Sequence, residues 1–143
     1  MKKEELMPTG PMNDEASLAE EGSENVIAYK SFGLAVRAVR LCRFLRENHQ
    51  EYVLSKQLLR SGTAIGSNVE EAIEGISRAD FSAKISIAYK EARETSCWLQ
   101  LLHATNYLSD EAFQSMLNDC EEACRILRAI LNTTRIKPLQ NEA

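Results

Sequence analysis

Apolar residues recur every three or four positions along four long segments of the chain. This spacing places them on one face of an α-helix, which has 3.6 residues per turn. The pattern predicts helices over about 25–48 and 54–76, a third from residue 77 or 79 to about 107, and a fourth that begins after residue 109 and is ended by residues 132–134 and the proline at 138. Ser109 precedes the last segment as a favourable N-cap, and two acidic residues follow it in the first turn. No segment alternates apolar and polar residues as a β-strand does.

The short connections between these segments favour antiparallel neighbours. The sequence therefore predicts an all-α fold, an antiparallel up-down-up-down four-helix bundle. In the second and third segments the apolar steps alternate between four and three residues, which predicts left-handed, shallow crossing angles. The bundle is expected to occupy residues 23–137, between a disordered acidic N-terminal tail of residues 1–22 and a short C-terminal tail of residues 138–143.

The net charge of the chain is confined to the predicted N-terminal tail. Residues 1–22 contain two lysines and six acidic residues, which account for the net charge of −4 of all 143 residues. The remaining residues carry equal numbers of basic and acidic side chains. A neutral domain has no global field that attracts nucleic acid, so such binding would require a local basic patch.

Neither a membrane span nor an export signal is recognisable in the sequence. No apolar stretch approaches the roughly 20 residues that span a membrane, and the N-terminus has no apolar signal core. These features predict a cytoplasmic protein without membrane contact. Its four cysteines are then expected to be reduced thiols: Cys42, Cys97, Cys120 and Cys124.

Residues 61–67 form a run of small side chains inside the second predicted helix. Its two glycines need a reason, because glycine in a helix interior costs about 1 kcal/mol relative to alanine. Close approach of another backbone is the usual reason. Polar residues flank the run, which is typical of an interface and gives no sign of an active site. The candidate interface residues of this region are Gln57, Arg60, Gly62, Gly66, Asn68 and Glu71.

A second line of residues follows the third predicted helix at alternating steps of four and three. It places two glutamates among apolar residues: Ile87, Glu91, Glu94, Trp98 and Leu101. Partly buried carboxylates require cationic or hydrogen-bonding partners. We therefore expect Glu91 or Glu94 to pair with Arg60, within one chain or between subunits, and both glutamates join the candidate interface residues.

The first predicted helix carries the only basic cluster along the sequence. Its five members are candidates for phosphate contacts to nucleic acid: Lys30, Arg37, Arg40, Arg43 and Arg46. Arginines three residues apart turn by about 300° per step, so successive side chains drift by about 60° around the helix. Some members can therefore face solvent while others face a neighbouring helix or subunit. A solvated surface with interface ion pairs is the alternative interpretation.

Catalytic and metal-binding patterns are weak in this sequence. A di-iron bundle requires Glu-x-x-His motifs, whereas Arg46 and Gln100 stand three residues before the two histidines, His49 and His103. The cysteines lie on or beside apolar stripes without a Cys-x-x-Cys motif, which favours core packing over zinc binding. We predict no catalytic residue, no metal and no cofactor.

A set of motifs within residues 55–102 stands in the order and spacing of a known family. These are Gln57, Arg60-Ser61-Gly62, Ile65-Gly66, Asn68, Glu70-Glu71-Ala72 and Ile87-Ala88-Tyr89-Lys90-Glu91-Ala92-Arg93-Glu94-Thr95. On these motifs the chain resembles the 23S ribosomal RNA intervening-sequence protein family, also called the bacterial four helix bundle protein family. The resemblance extends into the first helix and more weakly into the fourth. It implies a four-helix bundle protomer, a ring-like homopentamer and a non-enzymatic role.

A related branch of that family is the accessory protein of diversity-generating retroelements, whose members are basic and bind nucleic acid and a reverse transcriptase. This chain differs from that branch, because its helical part is neutral and its total charge is negative. We predict a non-enzymatic oligomeric scaffold that associates with itself. Its further partner is either nucleic acid (RNA or DNA), bound through the basic cluster, or another protein such as a reverse transcriptase. An accessory subunit of a reverse-transcriptase system is the alternative. A metal-binding bundle enzyme is disfavoured by the missing histidines.

Overall fold

The computed structural model describes residues 22–134, and all regular secondary structure within this range is α-helical. The helices are α1 (Ser23–His49), α2 (Leu54–Ile73), α3 (Arg78–Ala104) and α4 (Asp110–Thr134). The predicted all-α, four-helix architecture is therefore confirmed over this range. The two predicted tails, and the boundary of the bundle at residue 137, lie outside the described residues apart from Gly22.

Each helix packs against the helices that precede and follow it in the chain, and α1 also packs against α4. Contacts between α2 and α3 show that the two helices are antiparallel. Arg60 pairs with Glu94, whereas Glu71, which lies later in α2, pairs with Lys84, which lies earlier in α3. The same reversal relates the other neighbouring helices. This arrangement is the up-down-up-down order of a four-helix bundle; its left-handed twist stays a prediction.

The apolar stripes of the four helices meet in a single central core. Removing a large aliphatic side chain from water on folding contributes about 1.5–3 kcal/mol. Nearly all predicted stripe positions of the four helices belong to this core or pack against it. The largest fully buried aliphatic side chains are Ile27, Leu45, Leu58, Ile65, Ile85, Leu99, Leu102 and Leu127.

The small-residue run of α2 lies where another helix comes close, as its glycines predict. A Cβ atom on Gly62 would lie only 2.6 Å from the Cβ of Ala38 in α1. On the opposite side of the run, the hydroxyl oxygens of Ser61 and Thr95 are 2.9 Å apart and link α2 to α3. The run therefore serves close packing on both sides of α2 within one chain.

Two helices end earlier than their apolar patterns predict. The second ends at Ile73, because the N–H of Gly75 turns back to bond the carbonyl of Ala72. Ile76, the last residue of the predicted second helix, is 94% exposed. The third ends at residue 104, because the backbone of Asn106 adopts a left-handed conformation with φ of 69°. Such a conformation is incompatible with continuing the helix.

Polar side chains cap the starts of three helices. The hydroxyls of Ser77 and Ser109 accept hydrogen bonds from backbone N–H groups in the first turns of α3 and α4, at 3.0 and 3.1 Å. The predicted cap at Ser109 is thus confirmed. Glu51, which the sequence analysis missed, caps α2: its carboxylate accepts bonds from the N–H groups of the three residues 53–55, at 3.2, 2.9 and 2.7 Å. These bonds satisfy donors that have no partner within the helix.

None of the helices within residues 22–134 combines the length and the apolar character needed to cross a membrane.

Candidate interaction surfaces

The five basic residues of α1 do not form one surface, because the helix turns them towards opposite neighbours. Lys30 and Arg37 face α4. The Nζ atom of Lys30 lies 3.3 Å from Glu122, and Arg37 donates to Asp119 at 2.6 Å and to the hydroxyl of Ser115 at 3.0 Å. These two cations are therefore engaged in ion pairs between helices, the role that the alternative interpretation gave them.

Arg43 and Arg46 lie on the other side of α1, next to α2, and both are exposed. Together with Val39 and Leu59 they line a shallow groove of about 350 Å³. The guanidinium carbon of Arg46 lies 5.5 Å from the centre of the Tyr52 ring. Neither arginine pairs with a carboxylate within residues 22–134, so both remain available candidates for an anionic ligand.

A larger, mostly apolar groove of about 760 Å³ follows the seam between α1 and α4, near the start of α4. Arg37 and Arg40 stand at its edge. His49 lies beside this region, between the rings of Phe44 and Tyr107, with both ring centres 5.4 Å from its own. The lining includes Leu41, Phe44, Tyr107, Leu108, Ala112 and Met116.

The predicted pairing of Arg60 with Glu91 or Glu94 is confirmed, and it lies within one chain. The guanidinium bonds Glu91 at 3.3 Å and also contacts Glu94. The indole N–H of Trp98 donates to the same Glu94 carboxylate at 3.0 Å. The hydrogen bond from Trp98, and after it the one from Arg60, lowers the pKa of Glu94, while the bond to Glu94 raises the pKa of Arg60.

The other candidate interface residues of α2 make local or neighbouring contacts. Glu71 pairs with Lys84 of α3 at 2.8 Å, and this hydrogen bond raises the pKa of Lys84. The amide of Asn68 donates to the backbone carbonyl of Ala64, 2.8 Å away in the same helix. Gln57 is half-buried. A Cβ on residue 66 would meet Ser31 of α1 at 3.5 Å, an ordinary contact.

Three of the four cysteine thiols are packed inside the bundle, as their apolar surroundings in the sequence predict, and His103 packs on an aromatic ring. Cys97 is exposed, whereas the other three thiols are buried. The thiol of Cys120 bonds the carbonyl of Ala92 at 3.2 Å. His103 stacks on Phe113 with ring centres 4.0 Å apart. Among residues 22–134, no group of three or more His, Cys, Asp or Glu side chains is arranged to hold a metal ion.

A second basic cluster, which the sequence analysis missed, lies on the face shared by α3 and α4. Arg93, Arg125 and Arg128 line a groove of about 440 Å³, and Lys90 lines the adjoining one. We call these four residues the α3–α4 cluster. Their separation along the sequence hides them. The predicted antiparallel packing of α3 and α4 could have revealed the cluster, because it brings residues near 90 beside residues near 128. The 2.8 Å hydrogen bond from Arg128 to the hydroxyl of Tyr89 shows this proximity.

Comparisons with known proteins agree with this fold. The family model for 23S rRNA-intervening sequence proteins matches residues 23–129. A protein of unknown function from the S23 ribosomal protein family of Bacteroides thetaiotaomicron VPI-5482 has a similar solved structure. The two chains are 47% identical with a TM-score of 0.76, over 78% of this chain and 99% of the other. No curated protein matches the sequence. The chain belongs to the 23S rRNA-intervening sequence protein family.

Proposed function

We propose that the protein is a non-enzymatic scaffold that associates with copies of itself and presents basic surfaces to nucleic acid. The observation that carries the self-association is the exposed apolar surface on both sides of α2. Exposed apolar side chains that cluster on one surface mark interaction sites more often than isolated ones do. Four of the exposed apolar side chains, Phe32, Val39, Ile87 and Leu101, lie on two separate faces of the bundle.

The first face lies between α1 and α2. Phe32 and Val39 stand seven residues apart on the same side of α1 and are 62% and 38% exposed. Leu59 of α2 lies beside Val39 in the groove that Arg43 and Arg46 also line. This face therefore has an apolar centre with cationic residues at one end, which is the composition of a protein interface with a polar rim.

The second face lies between α2 and α3. Ile87 and Leu101 of α3 are 41% and 42% exposed, at the two ends of the line that includes Glu91, Glu94 and Trp98. The ion pairs of Arg60 occupy its middle. Charges that already have partners can be covered by another subunit at a smaller desolvation cost than unpaired charges.

Two different apolar faces on one protomer favour head-to-tail contacts, in which the first face of one copy packs on the second face of the next. Such contacts generate a ring when the rotation between copies closes. We propose a closed ring, and the family resemblance supports five copies. In a ring the basic surfaces recur around the axis, so several weak contacts to one nucleic-acid strand add in avidity.

The first face is tested by the double variant Phe32→Glu/Val39→Glu. Two carboxylates at the centre of an apolar interface should convert the assembly to monomers, measured as mass by light scattering. Ile76→Glu is the matched control, because Ile76 is 94% exposed in the connection between α2 and α3 and is not among the residues that define either face. An assembly that keeps its mass in the double variant, with unchanged helicity, contradicts the proposed interface.

Nucleic-acid binding is the second part of the proposal. Its support is the exposed pair Arg43 and Arg46, together with a family description that refers to 23S rRNA. Binding is tested by titrating the full chain into labelled single-stranded RNA at about 50 mM salt, where phosphate contacts are strong. If the RNA signal does not change under these conditions, this part of the proposal is wrong.

A further inference from the structure

The α3–α4 cluster concentrates positive charge in a domain that is neutral as a whole. Arg93, Arg125 and Arg128 line one groove, and Lys90 stands at its continuation between the same two helices. Glu121 is the one acidic residue that lines either groove. Three guanidinium groups and an ammonium group therefore oppose one carboxylate. All five side chains belong to residues that are exposed.

Ion pairs do not neutralise this cluster. None of its four cations lies within 4.0 Å of a carboxylate in the described part of the chain. On α1, by contrast, Lys30 and Arg37 are both paired with acidic residues of α4. Like charges held close together without counter-charges repel one another. An anion that enters the groove would relieve this repulsion, whereas an anion at Lys30 or Arg37 would have to compete with existing carboxylates.

The groove is also partly pre-organised for a ligand. Arg128 donates to the hydroxyl of Tyr89 at 2.8 Å, and its guanidinium carbon lies 5.5 Å from the centre of the same ring. Its side chain is therefore held against α3 before any ligand arrives. Arg93 and Arg125 approach the groove from opposite helices, and Cys124 also lines it. The hydrogen bond from Cys120, and after it the charges of Arg93 and Arg125, lower the pKa of the Cys124 thiol.

We propose that this groove binds phosphate groups of a nucleic-acid chain, an inference that rests on the proposed nucleic-acid binding and locates its principal contact on α3 and α4. Guanidinium groups present several N–H donors in a planar fork that matches phosphate oxygens. A phosphodiester shares one negative charge between two non-bridging oxygens and is flanked by further phosphates along the strand, so one strand can engage cations from both helices. An isolated carboxylate has no neighbouring charge that could reach the second helix.

Two variants with the same change in charge test the location. Arg93→Gln/Arg125→Gln removes two cations from the groove, and Arg43→Gln/Arg46→Gln removes two from α1. All four residues are exposed, so folding should be preserved. Binding of labelled single-stranded RNA is followed by fluorescence anisotropy between about 50 and 200 mM salt. Light scattering confirms that each variant keeps the mass of the wild-type assembly.

The groove variant should bind RNA about tenfold more weakly, and its slope of log affinity against log salt should fall by about 1.4, which corresponds to two lost phosphate contacts at about 0.7 each. The α1 variant should lose less affinity. Equal losses in both variants would indicate a diffuse charge effect and overturn the inference. A larger loss in the α1 variant would also overturn it while leaving the proposed nucleic-acid binding intact. If wild-type protein does not bind RNA, both proposals fail.

Poly-glutamate at the same charge concentration separates phosphate recognition from general attraction of anions. The inference predicts that it displaces RNA much less effectively than unlabelled RNA does. Displacement as effective as that by unlabelled RNA would assign the groove to acidic protein segments and overturn the phosphate assignment.

Discussion

Gly62 and Gly66 lie one helical turn apart in α2, yet an added methyl group would meet different surroundings. At Gly62 the new Cβ would approach the Cβ of Ala38 to 2.6 Å, and both atoms are fixed to helix backbones. At Gly66 the nearest atoms, those of Ser31, would be 3.5 Å away. Only the first glycine is therefore required by the packing of α1 on α2.

Gly62→Ala should lower the free energy of unfolding by about 1–2 kcal/mol. Overpacking of a tight contact costs about 1–3 kcal/mol, and the better helix propensity of alanine returns up to about 1 kcal/mol. Urea unfolding followed by circular dichroism measures the difference.

Gly66→Ala is the matched control, because it gains the same propensity without a clash and should be up to about 1 kcal/mol more stable than wild type. Two variants of equal stability would contradict the assigned contact between Gly62 and Ala38.

The surroundings of the Glu94 carboxylate, on the second face, make a small part of the folding stability depend on pH. Its pKa lies below the usual value of about 4.5 because Trp98 and Arg60 both bond the charged form. A lowered pKa in the folded state contributes stability at pH above 4.5. That contribution is lost as the pH falls through the lowered pKa of Glu94. Because Arg60 is about half exposed, the ion pair is expected to add little stability.

Trp98 is the single tryptophan of the chain, so its fluorescence should report the titration of Glu94 directly. The emission change is expected to have its midpoint below pH 4.5. In Arg60→Gln the midpoint should move upwards, because one of the two groups that stabilise the carboxylate is removed, and should stay below 4.5 because the indole bond remains. A wild-type midpoint at or above 4.5 would refute the assigned environment of Glu94.

Among the helices, α2 depends most on a group outside its own span. Its first residues have no side-chain cap from Val53, which occupies the N-cap position. Glu51 supplies the missing acceptors from two residues earlier, with bonds to three consecutive N–H groups. The negative charge also lies at the positive end of the helix dipole, where it is favourable.

Glu51→Ala should therefore reduce the free energy of unfolding by about 1–2 kcal/mol, the range of a lost N-cap. Glu47→Ala is a suitable control, because Glu47 is exposed near the end of α1 and should change stability by less than about 0.5 kcal/mol. Thermal and urea unfolding measure both. A loss no larger than that of the control would show that water satisfies these N–H groups equally well.

The starts of the helices and most of their apolar faces could be predicted, because helical periodicity depends on local sequence. Ser109 was recognisable as a cap from its neighbours alone. The ends of α2 and α3 were harder to predict. Ile76 continues the apolar spacing but lies beyond the turn at Gly75, and Asn106 ends α3 through a backbone conformation that periodicity does not encode.

At the scale of the whole molecule, only part of the candidate sites could be predicted from the sequence. The pairing of Arg60 followed from two glutamates in a half-apolar line, since buried carboxylates need partners. The basic residues of α1 were expected to face different directions, because their spacing rotates successive side chains around the helix. The acidic residues of α4 that pair with Lys30 and Arg37 could not be predicted. The α3–α4 cluster escaped notice because Arg93 and Arg128 are distant in sequence and become neighbours only when α3 and α4 pack antiparallel.

The proposed self-association would give the exposed faces beside α2 their role, and a ring would repeat each basic surface around its axis. Sedimentation velocity of the full chain at about 10–100 μM protein tests it most directly. With a chain mass of 16.1 kDa, a five-membered ring predicts one dominant species of about 80 kDa. A single species at 16.1 kDa across this range would contradict the claim.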